Sequence, residues 1–379
     1  MADHVNISLC AIFKDEEALL PEFIEKHRPL FDEMILVDTG STDASNDIVK
    51  KYGLDHYFYK WDNNFSNARN ASISHANAEY IMVLDIDEEF TAAAMGKLKQ
   101  TISSNERDGY ALKQVNFSDQ NHFKNWRHIS RLQGDISIQL DNKLRSICQG
   151  YILSPMIRVF KNGKGISYSG MIHEIVGDSM QRLQLSSIKT DIPIYHYGWI
   201  QQSRKDGENA RKKARYNELI RIAWETEQTA KSAYYYLIII SDPKERIRMA
   251  VHFLKTFPDV IEFYQVAAST ALELNQFQRA LNYAEKGLAR FNNNSILLGF
   301  QARCLNQLLK PDRALVIIER LLKEDPYHFQ MYLEKMKSLM LLNRKKEAEK
   351  TVKSLPSDMA KKYKADFLSF LEMLDTEKI

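Results

Sequence analysis

Four acids in five residues follow an apolar run in YIMVLDIDEEF, residues 80–90: Asp85, Asp87, Glu88 and Glu89. The preceding residues 80–84 are continuously apolar and β-prone, the pattern of a fully buried strand in a parallel sheet. Negative charge concentrated at a strand end repels itself unless a cation or water reaches it. In open α/β sheets ligands bind outside the carboxyl ends of the strands. Asp-X-Asp in that place points to a divalent metal and its anionic ligand, because carboxylate oxygens suit hard cations. Other groups with usable chemistry lie nearby in the pattern. Asp38 closes the apolar run EMILV, Arg69 sits in FSNARN just before the acidic strand, and His173, Glu174 and His196 lie in SGMIHEI and IYHYGW. Asp38 can accept a hydrogen bond from an imide N–H or a ribose hydroxyl, although a lone strand-end aspartate is more often a turn former.

These groups need a frame. The first hundred residues alternate strands (5–13, 33–37, 55–60 and 80–84) with helical segments, the sign of βαβ units and a parallel sheet. Ser41 or Thr42 is expected to cap the helix that Gly53 stops. Between residues 109 and 197 the pattern changes to shorter β segments, GYALKQVNF, SPMIRVFK and DIPIYHYGW, which would extend the sheet along a cleft. Residues 119–150 read as a charged excursion beside it.

After about residue 199 the chain reads as helical and repeats with a period of 34. Ala268, Ala302 and Met336 coincide, as do Leu274, Leu308 and Leu342, and Ala280, Ala314 and Ala348. Pro258, Asn292 and Pro326 fall at the junctions. This is the tetratricopeptide pattern, whose units stack into a solenoid with a concave face. A repeat array could bind a partner, brace the preceding domain or support a homodimer.

The bulk numbers narrow the class. The 379 residues suffice for two or three domains, and 44% apolar with 27% charged residues is ordinary for a globular chain. A net charge of +3, from 52 basic and 49 acidic residues, argues against nucleic acid as the main partner. Cys10, Cys148 and Cys304 fit no zinc or disulfide spacing and read as reduced thiols. No signal peptide is evident, and no apolar run reaches the roughly 20 residues needed to cross a bilayer. A cytoplasmic protein without a transmembrane segment is expected.

Taken in order, ISLCAIFKDEE, EMILVDTGSTDAS, FSNARNASISHANAEYIMVLDIDEE, PMIRVFK, SGMIHEI and IYHYGW resemble glycosyltransferase family 2, the GT-A fold. The resemblance covers about the first 200 residues, and the helical tail resembles the subgroup that includes the sublancin-type S-glycosyltransferases. It implies an α/β GT-A domain, Rossmann-like with a mostly parallel sheet, at 1–200. A helical linker at 201–240 and an all-α tetratricopeptide-like solenoid at 241–379 would follow. The implied activity is inverting transfer of a sugar, of hexosyltransferase type, from a nucleotide-sugar donor, most often a UDP-sugar.

By the family pattern Asp38 would contact uracil, Arg69 the uracil or diphosphate, and Asp85 the ribose. Asp87 and His196 would hold the metal, and a histidine beside carboxylates suits Mn²⁺ somewhat better than Mg²⁺. Inversion also asks for a base on the acceptor side. Glu174 is the candidate, with His173 orienting it or binding substrate; Glu88, Glu89 or an acid within 119–150 are alternatives, and a thiol acceptor would ask less of the base. The basic stretch RKDGENARKKARYNEL, from residue 204, could reach a leaving diphosphate but more often marks a solvated helix face.

The helical tail favours a protein or peptide acceptor docked by the repeats, with cell-envelope or lipid-linked glycan as the alternative acceptor. A scaffold with a degenerate transferase domain would be expected to have lost Asp38 or Asp87. A phosphotransferase using Asp-X-Asp would carry the pair after its first strand. Thr39 stands where many family members have a second aspartate, and residues 115–151 match no family motif.

Overall fold

The computed structural model describes residues 5–118, 127–129, 148, 150–197 and 208–376, in two compact units, Met1–Ala223 and Trp224–Ile379. The first unit opens with β1 (Ile7–Phe13), α1 (Leu20–His27), β2 (Glu33–Asp38), α2 (Ser45–Lys51), β3 (Tyr57–Phe58), α3 (Phe65–Ile73) and β4 (Tyr80–Val83). β5 (Glu88–Glu89), α4 (Ala92–Ser104), β6 (Gly109–Ser118), β7 (Arg127–His128), β8 (Gly150–Lys161), α5 (Gly177–Arg182) and β9 (Ser187–His196) complete it. α6 (Glu208–Glu227) leads toward the second unit.

The described strands form one sheet in the order β3-β2-β1-β4-β8-β6-β9-β5, with β7 on β8. β3, β2, β1 and β4 are parallel. β8 enters antiparallel between β4 and β6, and β9 runs parallel to β6. Two reversals restore the original direction, so β1, β2, β4, β6 and β9 all present their carboxyl ends on one side of the sheet.

Burial on both faces explains the unbroken apolar runs. In β1 the side chains of Ile7, Leu9, Ala11 and Phe13 enter one core layer, with α1 and α4. Cys10 and Ile12 point into the opposite layer, with Ile35, Val37, Ile81 and Val83. Alternation across the pleat thus serves two cores. Each fully buried Ile, Leu or Phe in them contributes roughly 1.5–3 kcal/mol relative to exposure.

The later β segments are longer than their sequence suggests. β8 runs for 12 residues through Pro155. At Pro155 it pairs with β6, whereas β4 is engaged only at 159–161 and β7 only at 150–151. One edge of β8 is therefore unpaired there among the described strands, and a missing N–H is tolerated. The expected Ser41 or Thr42 cap is corrected. α2 begins at Ser45 after Ala44, without a side-chain cap, because Ser41 and Thr42 are used by Asp38 and Asp15 instead.

The second unit is helical. After α7 (Ala230–Ile239) and α8 (Pro243–Thr256) come α9 (Ile261–Glu273), α10 (Phe277–Arg290), α11 (Ser295–Gln307), α12 (Pro311–Glu324), α13 (Phe329–Leu341), α14 (Lys345–Lys353) and α15 (Ser357–Thr376). First helices of each pair begin at 261, 295 and 329, and second helices at 277, 311 and 345, a constant step of 34. Ala268, Ala302 and Met336, and Ala280, Ala314 and Ala348, are fully buried. Leu274, Leu308 and Leu342 each close a first helix. These are tetratricopeptide-type repeats, and among the described residues no helix is long and apolar enough to cross a membrane.

The three turns inside these pairs share a left-handed residue: Asn275 (φ 57°), Leu309 (φ 55°) and Asn343 (φ 57°). Asparagine accepts this conformation more readily than leucine, whose Cβ crowds the following carbonyl. Leu309 is also 71% exposed, so its side chain contributes little packing to offset the strain. Leu309→Asn should stabilise the second unit by about 0.5–1 kcal/mol, read as a higher urea midpoint for its unfolding; an unchanged or lower midpoint would show that the turn is unstrained.

Candidate functional site

The loops after β1 and β2 are bound to each other at the carboxyl side of the sheet. Backbone N–H groups of Asp15, Glu16 and Glu17 donate to Ser41 Oγ, Ser45 Oγ and Asp43 Oδ2. In return, the N–H groups of Thr42 and Ala44 donate to Asp15 Oδ1 and Glu17 Oε2. Asp38 sits beneath this double loop. Its Oδ1 accepts from Gly40 N (3.1 Å), Ser41 N (2.8 Å) and Ser41 Oγ (2.7 Å), and its Oδ2 accepts from Asn46 Nδ2 (3.1 Å). Burial opposes its charge, but these donors hold its pKa below the usual aspartate value. In this geometry Asp38 is a turn former, two strands from β4 and about 10 Å away by strand spacing.

FSNARN has a simple physical logic. Asn64 caps α3 by accepting from Asn67 N. Ser66, Arg69 and Asn70 then share one helical face, being three and four residues apart. That face binds the loop that carries the SGMIHEI motif. Phe65 N donates to Met171 O (3.0 Å) and Ser66 Oγ to Gly170 O (2.6 Å). Asn70 accepts from Tyr168 N (2.8 Å) and donates to Tyr168 O (3.1 Å). The loop closes on itself through paired backbone bonds between Ser169 and Ile175.

Arg69 is the hinge of the constellation. Its Nη2 lies 2.6 Å from Asp85 Oδ1 and its Nε 2.5 Å from Glu174 Oε1. Arg158, on β8, continues the chain: its Nη2 is 3.2 Å from Asp85 Oδ2 and 2.7 Å from Glu88 Oε1. Glu88 also accepts from Gln114 Nε2 and, at 2.9 Å, from the backbone N–H of Asp85. The result is an alternating row, Glu174–Arg69–Asp85–Arg158–Glu88.

Burial raises the Asp85 pKa, but the two guanidinium groups overcome it and hold the carboxyl well below the usual range. Burial pushes Glu88 up, with Arg158 pulling the other way. Side-chain exposure is 7% for Arg69, 5% for Arg158 and 0% for Glu88, against 33% for Asp85 and 28% for Asp87. A buried ionic scaffold thus reaches solvent at Asp85 and Asp87.

Asp87 meets an imidazole. His196 Nε2 lies 3.3 Å from Asp87 Oδ2, while Nδ1 lies 2.7 Å from Asn116 Oδ1. The sheet register explains this: His196 pairs with Glu88 across β9–β5 and with Asn116 across β9–β6. An Asn116 carbonyl accepts from Nδ1–H, so neutral His196 carries its lone pair on Nε2, toward Asp87. Burial opposes protonation of His196, but Asp87 draws its pKa upward.

Asp87 and His196 therefore form a two-donor set that fits one hard-to-borderline divalent cation. No cluster of three or more His, Cys, Asp or Glu ligands occurs among the described residues, so bound phosphate oxygens or water would complete the shell. Arg69 Nη1 is buried with no hydrogen-bond partner among the described residues, a donor that an oxygen of a bound group or a water would satisfy.

The structure brings Arg69, Asp85, Glu174, Asp87 and His196 to one side of the sheet. His173 (φ 54°) is on the same loop, but its Nε2 meets Tyr216 OH at 2.8 Å. Glu88 and Glu89, weighed as alternative bases, are buried; Glu89 pairs with Lys26 at 2.9 Å. Arg158, Gln114 and Asn116 received no role from sequence. Their signal was a polar residue recurring inside otherwise apolar strands. Most of the charged excursion at 119–150, and the first residues of the basic stretch at 204–219, lie outside the described residues.

Residues 8–162 match the family model Glycosyl transferase family 2. The N-terminal unit carries a family 2 glycosyltransferase domain. Glu174 and His196 lie beyond the matched segment of that domain. A TPR repeat-containing protein of Synechococcus elongatus is 29% identical over 203 residues, 51% of this chain and 42% of that protein. The SPbeta prophage-derived glycosyltransferase SunS of Bacillus subtilis is 30% identical over 99 residues, 26% of this chain and 24% of its own length. Among solved structures, the crystal structure of MamA protein aligns with 42% of this chain and 90% of its own, at 16% identity and a TM-score of 0.35. The chain thus spans less than half the length of these curated relatives.

His27 ties α1 to the acidic strand end of the glycosyltransferase domain. Its Nδ1 donates to Phe23 O (2.8 Å) and its Nε2 accepts from Phe90 N (3.0 Å). Burial lowers its pKa to about 4, so the folded protein holds it neutral while the unfolded chain protonates near 6.5. Its contribution is whole above pH 6.5 and lost as pH falls toward 4. Over that window it amounts to about 3 kcal/mol. The urea midpoint should fall on acidification, and His27→Gln should flatten that slope; an equal slope in both proteins would contradict the assignment.

Proposed function

We propose that the protein is a metal-dependent, inverting glycosyltransferase of hexosyltransferase type that moves a sugar from a nucleotide-sugar donor, a UDP-sugar, to a polypeptide side chain. The observation that carries this reading is the division of labour between Asp85 and Asp87 in a family 2 domain. Asp85 is charge-compensated by two arginines, which suits it to accept neutral hydroxyl groups such as those of ribose. Among the described residues Asp87 has no arginine or lysine beside it and meets only the imidazole of His196, which suits the two to hold Mn²⁺ or Mg²⁺. Bound there, the metal would neutralise negative charge on the donor's diphosphate.

The remaining roles belong to the chain's own groups. Arg69 Nη1 offers a buried N–H to a donor oxygen. Asp38 shapes the loop 39–43 on the base side, and its carboxylate contact with uracil would be added to four donors already in place. Glu174 is the candidate base that takes the acceptor's proton; Arg69 donates to its Oε1 and leaves its Oε2 for that proton. His173, anchored on Tyr216, sets the backbone of that loop. The helical repeats would bind the acceptor polypeptide, and a homodimer through a solenoid end remains part of the proposal.

Thermal melting of the full chain with UDP, GDP and CDP, each with and without Mn²⁺, tests the donor. UDP with Mn²⁺ at a hundred times its Kd should add about 2.7 kcal/mol of stability, and Asp87→Ala should abolish the shift. If none of the nucleotides moves the melt, the transferase reading fails.

A further inference from the structure

We propose that Arg158 is a positioning residue for donor recognition: its Nη2, shared between Asp85 Oδ2 and Glu88 Oε1, holds the Asp85 carboxylate in the one orientation that accepts donor hydroxyl groups. The inference rests on the nucleotide-sugar reading above and goes further, assigning a role to a strand residue that received none from sequence.

Asp85 is gripped from two sides. Arg69 reaches its Oδ1 from α3, and Arg158 reaches its Oδ2 from β8. Two donors on different oxygens fix the rotation of a carboxylate about its Cβ–Cγ bond; one donor leaves it free to turn. Arg69 is itself divided, since its Nε is committed to Glu174. Arg158 is divided in the same way with Glu88, which has no exposed surface and accepts three hydrogen bonds.

Glu88 therefore does not face a ligand. Its place in the row is to hold Arg158, as Gln114 and the Asp85 N–H hold Glu88. The backbone bond from Asp85 N to Glu88 Oε2 closes the circuit, linking the same aspartate at its main chain and its side chain to one buried pair. A pair that served packing alone would not need its arginine bonded to the exposed tip of the network. Asp85 is that tip, and Arg158 gives it direction.

A buried pair broken on one side leaves an unpaired charge, so Arg158→Met alone is expected to lower the melting temperature and confounds folding with binding. Two further variants separate direction from charge balance. Arg158→Met with Glu88→Gln removes the pair together and should fold with a melting temperature near that of the wild type. Arg158→Lys keeps the charge, but its shorter side chain cannot carry its nitrogen to the place where Nη2 sits between the two carboxylates.

Calorimetric titration of the full chain with UDP, at saturating Mn²⁺, reads the outcome. Both variants should bind UDP roughly tenfold more weakly, and the residual binding should still require Mn²⁺, because Asp87 and His196 are untouched. Wild-type affinity in either folded variant would overturn the positioning role and leave Arg158 as charge balance for Glu88. Loss of the Mn²⁺ requirement would also overturn it, since the change would then have reached the metal side. Absence of UDP binding in the wild type would instead sink the nucleotide-sugar reading, and this inference with it.

Discussion

The alternating row Glu174–Arg69–Asp85–Arg158–Glu88 sets terms for everything around it. Five ionisable groups, four of them almost wholly enclosed, can coexist away from water only when each is met by opposite charge and its remaining hydrogen-bonding capacity is filled. That demand reaches α3 for Arg69, β8 for Arg158, β5 for Glu88, β6 for Gln114 and the loop after β8 for Glu174. Elements from nearly the whole N-terminal unit are thereby committed to one geometry. Concentrated acid at the end of a buried strand is stable here because the protein supplies most of the counter-charge itself. Lys26 does the same for Glu89 from α1. Asp87, met by an imidazole, is the exception.

The sheet makes this row possible by changing direction twice. An uninterrupted parallel sheet would place β8 with its carboxyl end on the functional side. Entering antiparallel, β8 instead runs past Asp85 from the other direction and delivers Arg158 from its middle. β6 and β9 then restore the original direction and bring Asn116 and His196 to the same rim. Topology, rather than local spacing, decides which side chains meet.

Much of the architecture was legible in the sequence because it is written in local pattern. Continuous apolar runs gave the doubly buried strands, and a period of 34 gave the helix pairs almost to the residue. Asp85, Asp87 and Arg69 were legible as candidates because short motifs frame them. Arg158 was not, since PMIRVFK reads as an ordinary strand and its partner Glu88 lies 70 residues away. Gln114 and Asn116 were hidden in the same way. Ser41 was misread for a different reason. A serine after a strand and before a helix satisfies the capping rule, yet the aspartate three residues earlier competes for it and wins. SPMIRVFK read as a strand from Ser154, whereas β8 begins at Gly150; only the position of β4 and β7 along β8 shows why Pro155 does not interrupt it.

The bonds that fasten the α3 face to the loop after β8 join residues far apart in the chain: 104 for Ser66 to Gly170, 105 for Arg69 to Glu174 and 98 for Asn70 to Tyr168. Asp87 and His196 are separated by 109. None of these contacts can form until a loop of that length has closed, and closure entropy must be met before such contacts reward it. The first four strands can assemble from local βαβ units, but the chemistry-bearing rim waits for β6, β8 and β9 to dock. During synthesis from the N-terminus, Asp85 and Arg69 emerge well before the segments carrying Arg158, Glu174 and His196. The nascent domain thus passes through a stage in which its acidic strand end has only part of its counter-charge.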